Sequence, residues 1–568
     1  MPSASLNPFR AAAASHVGQA LGLDPASFPV TNPPDATLGD YAVGLFPAAK
    51  AKKGAPPVLA KQLAAAFTPT PLLSAATASG PYLNFTAARG PLLAHVLTGA
   101  ARVPTTPGAG KTVVIDFSSP NIAKQLAYHH IRSTMIGWAL YNLHRALGYR
   151  VIGINHLGDW GTTHGMLLAA AERSGTPEPL TIESLNAMYV GFRREIEQDP
   201  SLEEAGRAWF KRLEDGDPVA RALWNRFREV SIAEFREIYD QLKVSFDLYK
   251  GESEFEAAMP GVIKLLGDKG LTSISEGALV VNLDAEGMPP CLLRKADGAT
   301  LYATRDLAAA IDRYESYHFD RCLYVVDKGQ GLHFKQLFAV LAKAGFAWSS
   351  GMAHVDFGQV RIGGKKAATR GGNVVFLKDV LAEATERSLT LMKEIGADVP
   401  PETERATAAT IGIGAVLFAN VKASRIKDID FEWEEVISIK GSAAPYIQYT
   451  HARIASILRN AGSEVDPHAD PGALELPEEL ALAKALADFP DVVQRAAEEC
   501  EPHGVGGYLL ELCALYSNYY SLGNADPSRK VLVAEPRLRA ARLALSAATR
   551  EVLSEGLRLL GIGAPDRM

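Results

Sequence analysis

Only four cysteines occur in this chain of 568 residues, at 291, 322, 500 and 513, and no two stand in a C-x-x-C pair. That scatter excludes a disulfide framework, argues against a thiolate zinc site and suits a reducing cytoplasm. Long apolar runs are missing too: no stretch of about 18 apolar residues occurs, so no membrane span is expected. Before residue 50 the only basic residue is Arg10. The N-terminus therefore lacks the basic start of a secretory signal and reads as an amphipathic first helix. No G-x-G-x-x-G follows a strand and no G-x-x-x-x-G-K-[ST] is present, which lowers the dinucleotide and P-loop readings. Internal repeats and low-complexity tracts are absent as well.

What remains is an ordinary globular composition, 47% hydrophobic and 21% charged, in a chain long enough to need several cores. The net charge of −6 leaves any nucleic-acid binding to local patches. Lys50, Lys52, Lys53 and Lys61 form one basic cluster, and Arg529 to Arg558 another, set against an acidic stretch over 464–501. Each cluster alone is equally a solvated helix face.

Residues 1–105 read as a small α+β domain, closed by the Pro/Gly-rich linker at 103–111. Val113–Phe117 is a short apolar strand, Ser118-Ser119-Pro120-Asn121 a turn, and a helix runs to Leu147 before a second strand over Tyr149–Asn155. Strand, helix, strand is a βαβ unit, hence a parallel sheet with its ligand crevice at the strand C-terminal ends. Residues 170–260 read as a helical insertion. Strands return at Ala278–Leu283, Cys291–Leu293, Cys322–Val326 and His354–Val360, and from about 401 the chain is nearly all helix. The predicted fold is thus α/β: a Rossmann-like catalytic domain over 106–400 with an insertion, an N-terminal α+β domain and an all-α domain over 401–568. The pattern alone does not choose among dehydrogenase, kinase, ligase and hydrolase.

Several segments, in order along almost the whole chain, narrow that choice. They are Asp116-Phe117-Ser118-Ser119-Pro120-Asn121-Ile122-Ala123-Lys124, Asn155-His156-Leu157-Gly158-Asp159-Trp160-Gly161, Leu301-Tyr302-Ala303-Thr304-Arg305-Asp306, the run from Tyr324 to Gln336, and Ala444-Pro445-Tyr446-Ile447-Gln448-Tyr449 with Arg453. Together they resemble the arginyl-tRNA synthetases, class I enzymes that activate arginine with ATP and transfer it to tRNA(Arg). The resemblance implies an N-terminal module for the tRNA elbow, a helical anticodon-binding domain, a cytoplasmic monomer, and magnesium accompanying ATP.

A guanidinium is planar and cationic, so its site needs acids placed for bidentate contact. The resemblance assigns that work to Asp116 and Asp306, with Asn121, Tyr302 and Gln330 at the other arginine-contacting positions; where Asp116 stands the family usually has Glu. For ATP it implies Lys124, His129 and His130 on one side, and on the other Lys365 and Lys366 in the loop Gly363–Gly372, with Lys124, His130 and Lys365 catalytic. For tRNA it implies Tyr446, Gln448, Tyr449 and Arg453. His156 and Asp159 sit in a loop that either lines the substrate site or is a structural turn. One departure stands out: Ala127-Tyr128-His129-His130 replaces the class I His-x-Gly-His. Adjacent helical histidines point about 100° apart, so one of the two is expected to face the nucleotide. With that motif altered, two alternatives stay open: a paralogue that binds or activates arginine without charging tRNA, and a non-catalytic tRNA-binding scaffold.

Overall fold

The computed structural model describes residues 4–52, 54–296, 302–362, 365–366 and 375–568; the side chains of Ala36, Lys365 and Lys366 also fall outside the description. The chain divides into two compact units. One joins Pro107–Leu389 to Gly412–Ile437, and the other joins Met1–Thr106, Thr390–Ile411 and Ser438–Met568.

The first of these is built on five strands: β1 (Thr112–Asp116), β2 (Arg150–Leu157), β3 (Leu248–Gly251), β4 (Arg321–Tyr324) and β5 (Met352–His354). They pair in parallel in the order β5-β4-β1-β2-β3. Every residue of β1 (Thr-Val-Val-Ile-Asp) is buried, as a central parallel strand covered on both faces requires. The chain leaves β1 toward β2 on one side and later returns to β4 on the other. Such a switch point opens a crevice at the strand C-terminal ends, and the site is built there. Helix α1 (His130–Ala146) links β1 to β2, α2 (Tyr302–Tyr317) precedes β4, and α3 (Gly331–Lys343) follows it.

Four sequence expectations shift. The insertion is helical from Ile182 to Leu242, but it closes at β3, which adds an edge strand to the sheet beside β2. The hairpin Ala278–Val281/Cys291–Arg294 forms, together with Thr272–Ser275, a separate antiparallel sheet. The strand expected over His354–Val360 is divided. β5 stops at His354, and β6 (Val360–Ile362) pairs antiparallel with β7 (Lys365–Lys366) and parallel with β8 (Ile429–Phe431). That last pairing ties 412–437 to the sheet unit, so the units divide at Ile411/Gly412, inside the helix Pro401–Val421, rather than at 401.

In the other unit, the strands Val30–Thr31, Tyr41–Gly44, Tyr82–Ala87 and Leu73–Ser79 form an antiparallel sheet in that order. Val17, Phe28, Leu63, Leu83 and Phe85 fill its core. Its C-terminal part contains the helices α4 (Ala444–Asn460), α5 (His503–Ala525) and α6 (Pro536–Leu559). No helix among the described residues is long and apolar enough to cross a membrane.

Candidate active site

The segment between β1 and α1 is not helical, contrary to the sequence reading. Ser118, Ser119 and Ala123 all take left-handed φ values, of 72°, 51° and 60°. Non-glycine residues held there cost on the order of 1–3 kcal/mol each, so the surroundings must hold them. The Ser133 hydroxyl accepts the Ser118 N–H at 3.0 Å and donates to the Val325 carbonyl at 2.6 Å. The Ser118 hydroxyl meets those of Thr134 and Tyr239 at 2.8 and 2.7 Å. The loops after β1 and β2 also zip together: Gly158 N–H donates to Pro120 and Ile122 N–H donates to Gly158. A Cβ on Gly158 would lie 2.0 Å from Asn121 Oδ1, so a side chain there would displace the Asn121 amide.

As a result α1 begins at His130, and His129 is its N-cap residue rather than an interior one. Both rings therefore turn the same way, 4.1 Å apart, and both line one cavity of about 370 Å3. The expectation of a single inward histidine is corrected, since both rings line the same cavity. The cavity's other walls are Ser118, Ser119 and Arg132, the β4 exit Val325-Val326-Asp327, and Phe357 to Val360. Arg132, fully buried, donates to the carbonyls of Arg425 and Lys427 at 2.8 Å each, and Gly358 N–H donates to Arg425 as well. The wall before β6 is thereby fastened to the chain leading into β8.

Burial, with His129 and Lys124 adding repulsion, lowers the His130 pKa to about 3. The ring is neutral at physiological pH, and two contacts bear on its tautomer: Nδ1 lies 3.0 Å from Ala127 N–H and 3.1 Å from the Ala127 carbonyl. The carbonyl already accepts His130 N–H, whereas Nδ1 is the acceptor that the Ala127 N–H finds. Nδ1 is then the acceptor, and the proton sits on Nε2. His129 is lowered chiefly by burial, with Asp327 opposing. Lys124 is absent from the cavity wall. Its ammonium lies 5.5 Å from the Tyr189 ring of the insertion, and its charge reaches His130 only through space.

The arginine set occupies the neighbouring strand and helix ends. Asp116, 4% exposed, spends one oxygen on Arg313 at 2.6 Å and the other on the Ser119 hydroxyl at 2.8 Å. It is a committed carboxylate, not the open one the sequence suggested. Asp306 accepts from His333 Nε2 at 2.6 Å, and Tyr302, 58% exposed, stands 5.1 Å from the His333 ring. Gln330 is the exposed N-cap of α3 and Asn121 is exposed beside Gly158. The charges of Asp116, Arg313, Asp306 and Asp159 all act on His156, whose pKa burial lowers, which brings these groups into one region. Asp159 itself is structural: it accepts from Ser253 N–H and from Arg228 Nε at 2.9 and 3.0 Å.

Lys365 and Lys366 form β7, opposite Ile362 and Arg361 and so beside the cavity wall at Val360. The rest of the loop Gly363–Gly372, like both lysine side chains, lies outside the described residues. In the other unit, Gln448 is not available to tRNA. It is fully buried, and its amide donates to the carbonyls of Gly563 at 2.7 Å and Thr410 at 3.2 Å. Tyr446 and Tyr449 are half-buried and Arg453 is exposed. The Arg453 guanidinium lies over the rings of Tyr449 and Tyr520 at 4.8 and 5.6 Å.

Comparison with known proteins agrees with this arrangement. The catalytic-domain profile of the class I tRNA synthetases (R) matches residues 93–433. The chain belongs to the arginyl-tRNA synthetase family. The family's N-terminal domain matches residues 9–87, and the DALR anticodon binding domain matches 447–568. The arginine–tRNA ligase of Exiguobacterium sibiricum is 43% identical over 565 residues, covering 97% of this chain and 98% of the relative. That of Clostridium botulinum is 41% identical over 549 residues, with 94% and 95% covered. Among solved structures, Thermus thermophilus arginyl-tRNA synthetase superposes with a TM-score of 0.86 at 28% identity, covering 98% of this chain and all of that one. The Plasmodium falciparum arginyl-tRNA synthetase shares the fold at 21% identity, with a TM-score of 0.81.

Arg313 and His333 are the site residues that sequence reading passed over. His333 stood inside the quoted run from Tyr324 to Gln336. Arg313 gave no signal, since an arginine within a charged helix reads as a solvated one.

Proposed function

We infer that this chain is an arginine–tRNA ligase, forming arginyl-adenylate and pyrophosphate from arginine and ATP and passing the arginyl group to the 3′ end of tRNA(Arg). The observation that carries the reading is a cavity at the β1/β4 switch point, lined by both histidines of the altered motif and by Ser119, whose hydroxyl donates to Asp116. Its volume is within the range of small-molecule sites. We read the altered motif as compatible with ATP binding, supported by His129 and His130 both lining the cavity.

In the first step an arginine carboxylate oxygen attacks the α-phosphorus, and the bond to pyrophosphate breaks. No covalent enzyme intermediate is needed, so the residues act by positioning and by meeting phosphate charge. His130 supplies an Nε2–H donor, and the N-terminal N–H groups of α1 add the positive end of a helix dipole. Lys365 and Lys366 belong to the opposite clamp in this reading, supported by the place of β7 beside the cavity wall. Lys124 contributes field rather than contact. Magnesium accompanies the nucleotide. Such an ion is held mostly by phosphates and one or two carboxylates, and Asp327 is the cavity-lining acid that supports this. In the second step the terminal ribose hydroxyl attacks the arginyl carbonyl and AMP leaves.

For tRNA, Tyr446, Tyr449, Arg453 and Tyr520 offer stacking faces of the kind that hold unpaired bases. We read the chain as a monomer of the cytoplasm; four buried free cysteines support the reducing compartment. The test is arginine-dependent ATP–pyrophosphate exchange, with and without tRNA(Arg), beside a charging assay. Exchange and charging are both expected. Exchange without charging would support the paralogue reading, and tRNA binding with neither activity the scaffold reading.

A further inference from the structure

We propose that His333 is the positioning residue of arginine selection, holding the Asp306 carboxylate at one oxygen so that the other faces the substrate guanidinium. The proposal rests on the reading of Asp306 as an arginine-binding residue.

The two carboxylates expected to read the guanidinium have very different partners. Asp116 is closed: an internal guanidinium, that of Arg313, takes Oδ2 at 2.6 Å, and Ser119 takes Oδ1. Asp306 is half open. Its Oδ2 accepts from His333 Nε2 at 2.6 Å, and Oδ1 has no partner among the described residues. The Asp306 side chain is 28% exposed and that of His333 only 12%, so the imidazole lies behind the carboxylate. The imidazole takes one oxygen of Asp306 and leaves the other open, whereas Arg313 and Ser119 between them take both oxygens of Asp116. One substrate cation therefore finds one carboxylate with an open, oriented oxygen.

The surroundings fix the ring. His333 lies in the first turn of α3, three residues after Gln330, with Phe334 at 5.3 Å and Tyr302 at 5.1 Å from its ring centroid. Asp306 and Tyr302 are both on the first turns of α2. The Asp306–His333 bond thus joins the two helix starts that carry three of the expected arginine contacts, Tyr302, Asp306 and Gln330. A carboxylate free to rotate would still attract a cation, but it would lose the geometry that separates a planar fork from an ammonium.

The test measures ATP–pyrophosphate exchange with tRNA(Arg) present, for His333→Ala, His333→Gln, Asp306→Asn and the double variant Asp306→Asn/His333→Ala. Thermal unfolding serves as the fold control. Loss of one hydrogen bond to a charged group predicts an arginine KM raised about ten- to a hundredfold in His333→Ala, with the ATP KM and kcat within about threefold. His333→Gln, whose amide nitrogen reaches the Nε2 position, should restore the KM to within about fivefold. The double variant should be no worse than Asp306→Asn alone, because residues acting as one unit are not additive. An unchanged arginine KM in His333→Ala beside a raised one in Asp306→Asn overturns the positioning role and leaves the site standing. An unchanged arginine KM in Asp306→Asn overturns the site itself.

Discussion

Asp116 and Arg313 form an ion pair inside the sheet unit, 2.6 Å apart, with side chains 6% and 2% exposed. Arg313 Nε and Nη1 are buried without hydrogen-bond partners among the described residues, and its guanidinium lies 5.0 Å from the Tyr324 ring. Asp116 is thus the one charged partner these contacts supply. Removing one member of such a pair strands a buried charge and costs on the order of 3–5 kcal/mol, whereas replacing both by apolar groups is often neutral. Asp116→Asn should accordingly lower unfolding stability by about that amount, and Asp116→Asn/Arg313→Met should recover most of it. Urea titration of the three proteins checks this; a double variant as unstable as the single one would show that the pair is more than mutual neutralisation.

The surface of α4 divides by function along one helix. Gln448 and His451 are buried and hold the C-terminal segment, through Gly563 and Pro565, whereas Tyr449 and Arg453 are turned outward, with Arg453 donating to the Tyr449 hydroxyl at 2.9 Å. Arg453→Glu should therefore raise the tRNA KM about tenfold or more, with a shallower salt dependence, and leave the arginine and ATP KM values unchanged. Gln448→Ala should instead lower the melting temperature, since two partly buried carbonyls lose their donor. Charging kinetics at two salt concentrations beside calorimetry separate these effects. Equal tRNA KM changes in both variants would count against the division.

Much of the fold was legible because its signals were local. The five-residue apolar run of β1, the helix after it and the next strand report a parallel unit by period alone. What escaped was long-range. Gln448 reads as a surface residue until the chain 115 positions onward folds back on it. The late start of α1 depends on left-handed serines and an alanine that only their tertiary hydrogen bonds hold, and no glycine marks the place. β3 was hidden in the insertion because Leu248-Tyr249-Lys250-Gly251, an edge strand of four residues, is too short for alternation to show. Asp116 was found but misjudged, since its partner Arg313 lies 197 residues away.

Buried histidines give the sheet unit an acid limit. Burial lowers His130 to about 3 and His144 and His164 to about 4, whereas in the unfolded chain each titrates near 6.5. Between those values the unfolded state binds more protons, so this stability is present above about pH 6.5 and is lost as pH falls toward 4. Glu252 works the other way, its pKa raised by burial to about 7, and offsets one histidine. The melting temperature should fall from pH 7 to 5. His144→Phe keeps an aromatic ring against Tyr149 and should flatten the slope by about one proton. A melting temperature independent of pH over this range would show that the rings are not held neutral.

The tautomer of His130 leads to a choice between two near-isosteric substitutions. If Nδ1 accepts Ala127 N–H and Nε2–H faces the cavity, then His130→Asn keeps the internal acceptor and loses the outward donor. His130→Gln does the reverse, because its amide nitrogen extends to the Nε2 position. Losing one transition-state donor costs about 10²–10³ in rate. His130→Asn should therefore fold like the parent and lose that much of kcat in ATP–pyrophosphate exchange, whereas His130→Gln should lose some thermal stability and retain activity within about tenfold. His129→Ala, on the same wall with its pKa lowered chiefly by burial, should act mainly on the ATP KM. Stopped exchange assays across pH 6 to 8 check the set. His130 stays neutral over that interval in this assignment, so its rate contribution should not titrate there. Equal activities for the Asn and Gln variants would mean that Nε2 donates nothing, and the phosphate contact would then have to come from the backbone of α1 alone.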